Sequence, residues 1–156
     1  MKAAKTSAGL LLFRQRAGEL EFLLAHPGGP FFKKKDEGIW TIPKGEAEPG
    51  EDLLSRARIE FEEELGTAVP AGEFFPLGFI QQKGGKIVHA WAIEGDLPKG
   101  FVHKSNTFRL EWPPRSGRYQ EFPEIDRGEF FREAVAREKI KPAQIPFIDR
   151  LREMIR

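Results

Sequence analysis

The sequence predicts an α+β fold, a mixed β-sheet packed between helices as an α/β/α sandwich. Strand-like runs open the chain and recur through its second half, one amphipathic helical stretch lies between them, and further helical stretches close it. At 156 residues the chain is predicted to form one domain, residues 1–156, with room for a real core.

The elements follow in order. Residues 6–14 and 20–26, the latter "LEFLLAH", read as strands joined by the turn "QRAGE". Residues 27–38, "PGGPFFKKKDEG", combine two prolines, three glycines and a lysine run, and so read as a loop. "IWTI", residues 39–42, is predicted as a short strand stopped by Pro43. A helix is expected from about Glu51 to Leu65, with Leu54, Ala57, Phe61 and Leu65 as its apolar stripe and Gly66 as its stop. "EFFPLGFIQQ" and "KIVHAWAIEG" form a hairpin pattern around Gly84-Gly85, and "SNTFRLEW" is a further strand. The stretch "PPRSGRYQEFPEIDRG" reads as a loop leading to "EFF" and a helix over residues 132–139. A last amphipathic helix over about 143–155 places Ile145, Ile148, Leu151 and Ile155 on one side.

Composition excludes several functions. Twenty-five basic against 24 acidic residues leave a net charge of +1, which argues against a long nucleic-acid partner. No cysteine is present, so disulfides, thiolate metal sites and cysteine nucleophiles are excluded. His26, His89 and His103 show no ligand-like spacing. The apolar run "AGLLLF" is too short to span a membrane and lacks a signal-peptide cleavage site, so a cytoplasmic protein is expected.

The helix over 51–65 ends in "IEFEEELG". At about 100° per residue, Glu64 lies roughly 40° from Glu60 on one side and Glu63 roughly 60° on the other, while Glu62 points away. Like charges so placed destabilise a helix by a few tenths of a kcal/mol per pair. A solvated acidic face would explain them only if nothing upstream mattered.

Upstream, the run from Gly45 reads "GEAEPGEDLLSRARIEFEEELGT". Gly45, Glu51, Glu60, Phe61, Glu63, Glu64 and Gly66 fall at the spacing of the Nudix box, and the chain resembles the Nudix hydrolase family over residues 45–67. "SAGLLLFR", the W-x-x-P-K-G-E lead-in and "EIDRGEFF" resemble that family's flanking strands, so the likeness covers most of the chain. Two positions depart: Ile59 stands where the box has arginine, and Thr67 where it has an aliphatic residue.

The resemblance implies the Nudix fold and magnesium-dependent hydrolysis of a phosphoanhydride, with manganese as the alternative cation. A hard cation prefers oxygen ligands, so it would cancel the repulsion among the glutamates. By resemblance Glu60 and Glu64 are metal ligands, Glu63 is a ligand or water-orienting group, and the Lys44 carbonyl is a further ligand. Glu51 would orient the helix. A late-loop carboxylate, Glu124 or Glu121, would act as general base or extra ligand. The missing arginine is replaced in part by Arg56, at i, i+4 to Glu60, or by Arg58.

"WTIPKGE" looks like the branch that handles dinucleoside and diphosphoinositol polyphosphates. Lys44 is then a phosphate contact, and Lys33, Lys34 and Lys35 meet the far end of a long polyphosphate. Phe31, Phe32, Trp40, Trp112 and Tyr119 are candidates to stack a base, with Arg115 and Arg118 beside them. Trp40 also reads as a half-buried strand residue. The leading expectation is hydrolysis of diadenosine polyphosphates by a monomer or homodimer. The alternatives are a nucleoside triphosphate pyrophosphohydrolase and, because of Ile59, a weakened module that binds nucleotides as a sensor.

Overall fold

The computed structural model describes residues 5–155. Strands β1 (Thr6–Arg16) and β2 (Glu19–Pro27) form a hairpin whose turn residues, Ala17 and Gly18, both have positive φ. That backbone matches the twist of the flanking strands. A short β3 (Lys44–Glu46) leads to helix α1 (Leu53–Leu65), then to the hairpin of β4 (Phe74–Gln81) and β5 (Ile87–Glu94). Next come β6 (Thr107–Glu111), β7 (Tyr119–Pro123) and β8 (Ile125–Arg132). Helix α2 (Glu133–Lys139), a 3-10 turn over Pro142–Gln144 and helix α3 (Ile145–Met154) close the chain.

The central sheet runs in the order β4-β5-β1-β2-β8. It is mixed, because β1 and β5 pair in parallel while β1-β2, β4-β5 and β2-β8 are antiparallel. One edge of β1 is shared: Phe13–Arg16 pair with β2, and Ser7–Gly9 pair with β3. Residues 7–13 of β1 are buried without a break, because helices cover both faces of the sheet. On one face Ala57, Phe61 and Leu65 of α1 pack on Ala8, Leu10, Leu12 and Leu23. On the other, Phe147, Ile148 and Leu151 of α3 and Ala136 of α2 join Leu11, Phe13, Phe22 and Leu24. The predicted α/β/α layering is therefore present.

Three segments differ from the sequence expectations. "IWTI" forms two isolated bridges, Thr41 with Ala25 and Trp40 with Ile140, instead of a strand. Its polar groups are divided between partners: Thr41 exchanges bonds with Ala25, Trp40 N–H goes to the Lys139 carbonyl, and Ile42 N–H goes to Gln144 Oε1. The W-x-x-P-K-G-E lead-in, which resembles a flanking strand, does contain one, β3. Residues 119–123, taken for loop, pair with β6 as a separate two-stranded arm, and β8 begins at Ile125. Helix α1 starts two residues late because Asp52 caps it, accepting from Ser55 N–H at 3.0 Å.

Candidate active site

The site begins at β3, where α1 crosses the sheet edge. Lys44 N–H donates to Glu64 Oε2 at 3.1 Å, so backbone and helix meet directly. The next residue, glycine, leaves room for a carboxylate: a Cβ at position 45 would lie 2.1 Å from Glu60 Cδ and 2.2 and 2.4 Å from its oxygens, and would displace that side chain. Glu60, Glu63 and Glu64 line one cleft of about 460 Å³ with Lys44, Gly45, Glu46, Asn106, Thr107 and Glu124. The helical angles that crowd the three glutamates thus turn them all toward the same space. Glu62 is exposed elsewhere on α1.

A strap over residues 103–106 holds the far end of this helix. Asn106 N–H donates to the Glu63 carbonyl at 3.1 Å, His103 Nε2 to the Glu64 carbonyl at 2.9 Å, and Lys104 N–H to the Leu65 carbonyl at 3.3 Å. Gly66, left-handed at φ 77°, donates its N–H to the Glu62 carbonyl. All four last-turn carbonyls are satisfied. The same strap also holds Glu124, whose N–H donates to the Asn106 carbonyl at 2.8 Å, while Ile125 N–H reaches Ser105 Oγ at 3.2 Å. Asn106 therefore links the helix carboxylates to the loop carboxylate across the cleft.

Electrostatics record the crowding. Burial, reinforced by Glu60 and Glu124 against the pull of Lys44, pushes the Glu64 carboxyl up to about 8. Burial and then Glu63 raise Glu60 as well. On the cationic side, burial brings Lys44 down to about 8, helped by Lys86 and Lys141. These two lysines, one before β5 and one after α2, form a basic cluster with Lys44 that the sequence did not single out.

Arg56 joins both ends of the box. Its Nη1 donates to Glu60 Oε1 at 3.2 Å, and its Nε and Nη2 fork onto the Glu51 carboxylate, with Nη2 at 2.7 Å. Glu51 in turn accepts the Glu48 N–H at 2.9 Å. Arg58 points the other way, over the Phe74 ring. Ile59 is 40% exposed on the outer side of the helix.

Other sequence candidates are scattered. Trp40 is buried against His26 and Phe131, with Nε1 donating to Asp36, so its ring is not available to stack a base. Glu121 lies within β7, opposite Arg109, and does not line the cleft. Lys33 is exposed in the loop before β3. Arg115 sits at the tip of the β6-β7 arm with φ 61°, its N–H bonded to Glu111. Tyr119 is exposed on the same arm, under the Arg109 guanidinium at 4.4 Å. Arg109, Lys86 and Lys141 were missed because they stand in a strand, before a strand and after a helix, and only the tertiary fold gives them their partners.

The donor set fits a hard divalent cation. Among the described residues no three His, Cys, Asp or Glu side chains close into a ready-made cage. Magnesium needs none, because it keeps several waters and takes only one or two carboxylates. The acidic side chains lining the cleft offer oxygen ligands, and Glu60 and Glu64 are raised by burial in spite of Arg56 and Lys44 beside them, so a cation would be welcome there.

A mixed sheet between helices, with the glutamate-bearing helix packed on β3, is the Nudix fold, and residues 45–67 resemble the box that goes with it. No family model matches the chain. In structure it is similar to the Nudix domain of NrtR from Shewanella oneidensis complexed with ADP ribose, with a TM-score of 0.67 and 15% identity over 100% of this chain and 91% of that one. It is also similar to an Ap4A hydrolase of C. elegans in a binary complex, with a TM-score of 0.65 and 22% identity over 97% and 98% of the two chains. In sequence it is 41% identical over 58 residues to the asymmetrical bis(5′-nucleosyl)-tetraphosphatase of Caenorhabditis elegans. That match covers 37% of this chain and spans 38% of the relative's length. Among the described residues no helix is long and apolar enough to cross a membrane.

Proposed function

We propose that this protein is a divalent-metal-dependent hydrolase of nucleoside polyphosphates, with diadenosine polyphosphates as the leading substrates. The observation that carries the reading is the convergence of Glu60, Glu63, Glu64 and Glu124 on one cleft beside a half-buried lysine. The partial likeness to an asymmetrical tetraphosphatase supports the choice of substrate.

Glu60 and Glu64, with the Lys44 carbonyl, would hold magnesium or manganese, and Glu63 would be a further ligand or orient water. When bound, the cation would neutralise charge on the phosphates and acidify the attacking water. Lys44 lines the cleft and would meet the phosphates, which would offset its repulsion from the neighbouring Lys86 and Lys141. Glu124, in the wall facing the helix, takes the proton as water attacks phosphorus and a nucleoside phosphate leaves. Arg56 acts through Glu60 and is a positioning residue. Lys33 in the preceding loop and Arg115 at the arm tip remain contacts for the distal part of a long substrate.

The test is product analysis. Purified protein is incubated with diadenosine polyphosphates of several lengths, ATP, a nucleotide sugar and a diphosphoinositol polyphosphate, with and without magnesium, and products are separated by anion exchange. Metal-dependent release of ATP or ADP from diadenosine polyphosphates, lost in Glu64→Gln, is expected. Nucleotide binding without cleavage of any substrate would replace the hydrolase with a sensor module.

A further inference from the structure

We infer that the outer face of the β6-β7 arm is the subsite for an aromatic base, built from Arg109 and Tyr119. The inference rests on the polyphosphate reading of the adjoining cleft. Thr107, the first residue of β6, lines that cleft together with Glu124. Side chains alternate along a strand, so Arg109 shares the Thr107 face, and cross-strand pairing adds Glu121 opposite Arg109 and Tyr119 opposite Glu111. At about 3.4 Å per residue, Arg109 stands roughly 7 Å and Tyr119 roughly 14 Å along the arm from the cleft wall. A nucleotide with its phosphates in the cleft covers that distance with ribose and base.

The opposite face is already committed. Phe108 packs so tightly on Gly29 that a Cβ there would meet its ring at 2.9 Å, and Trp112 meets Phe31 edge-on at 5.4 Å. Phe108 and Trp112 therefore anchor the arm to the loop before β3. On the outer face, Tyr119 is 54% exposed, and among the described residues the Arg109 guanidinium stacks on its ring instead of pairing with Glu121. A flat cation layered on an exposed aromatic ring offers a stacking surface, which recognises the π-face common to all bases.

The experiment compares ADP with inorganic pyrophosphate by calorimetric titration in magnesium. The two ligands offer the same phosphoryl groups with and without a nucleoside. Stacking predicts that ADP binds about tenfold tighter or more. Tyr119→Ala and Arg109→Ala should bring ADP close to pyrophosphate while pyrophosphate is unchanged. Tyr119→Phe should retain the advantage, and so should Phe79→Ala, which removes an equally exposed ring on β4. Equal binding of the two ligands by the unaltered protein, or an ADP advantage that survives both alanine variants, overturns the subsite alone. Failure of both ligands to bind overturns the polyphosphate reading and the subsite with it.

Discussion

Gly45→Ala is the sharpest test of the site, because its consequence is local and its size follows from geometry. The added methyl carbon would lie 2.1 Å from Glu60 Cδ, whereas ordinary contact begins near 3.4 Å, so the carboxylate has to retreat by about 1.3 Å. It cannot do so while keeping the 3.2 Å bond from Arg56. The clash involves a side-chain end, so the fold should survive with a thermal midpoint close to that of the unaltered protein. A catalytic group displaced by 1 Å costs on the order of 10²-fold in rate. Steady-state turnover on the best substrate, together with manganese affinity by titration, measures the effect. Shortening the displaced side chain should relieve it: Glu60→Asp in the Gly45→Ala background should lose less than the two single losses multiplied together. Unaltered turnover and metal affinity in Gly45→Ala, with the protein folded, would refute the assignment of Glu60.

Arg56→Ala removes the fork onto Glu51 and the bond to Glu60 together. Metal affinity or turnover should fall about 10- to 100-fold, as for other supports of ligating carboxylates, and unchanged values would end the idea that it stands in for the missing arginine. Arg150 donates to the carbonyls of Leu77 and Phe79 on the edge strand β4, so Arg150→Ala should expose that edge and promote self-association, read by light scattering after size exclusion. Acid should loosen the start of α1. Arg56 holds Glu51 below its usual 4.5, and the Ser55 hydroxyl and N–H hold Asp52 below its usual 3.8. Both contributions are complete above those values and are lost as pH falls through the lower folded-state values. The pH profile of the melting midpoint should therefore flatten below about pH 4 in Asp52→Ala relative to the unaltered protein.

The box was legible because its meaning depends on local spacing. Gly45, the three glutamates and Gly66 are fixed by one turn and one helix, and the structure puts them where the helical angles require. The hairpins β1-β2 and β4-β5 were legible for a similar reason, since their partners are sequence neighbours separated by glycine turns. The β6-β7 arm was not. Its second strand, "YQEFP", is short, mostly polar and half exposed, so it lacks the buried alternation that marks a strand. "IWTI" had the opposite fault: its apolar residues suggested pairing, yet they are buried by α2 and the 3-10 turn, with Gln144 supplying the bond that a neighbouring strand would have given. Trp40 as a base platform fell with that assignment, because its ring became core. The Lys44-Lys86-Lys141 cluster joins three parts of the chain and leaves no local pattern.

The cleft is held together against its own charge. Glu64 is half-buried close to Glu60, and Lys44 is half-buried close to two other lysines, so neither group of charges would gather here unaided. Phe61 and Leu65, fully buried one residue beyond Glu60 and Glu64, hold the helix down from below. Each large apolar side chain so buried contributes roughly 1.5–3 kcal/mol, against a few tenths for each like-charge helical pair. The strap at 103–106 closes the helix end, and Asn106 ties it to the bend between β7 and β8 that carries Glu124. Because the same packing and the same strap set both walls, the separation of the carboxylates is fixed before any ligand arrives. On the proposed function, a cation and a polyphosphate would gain from charges whose assembly the core has already met.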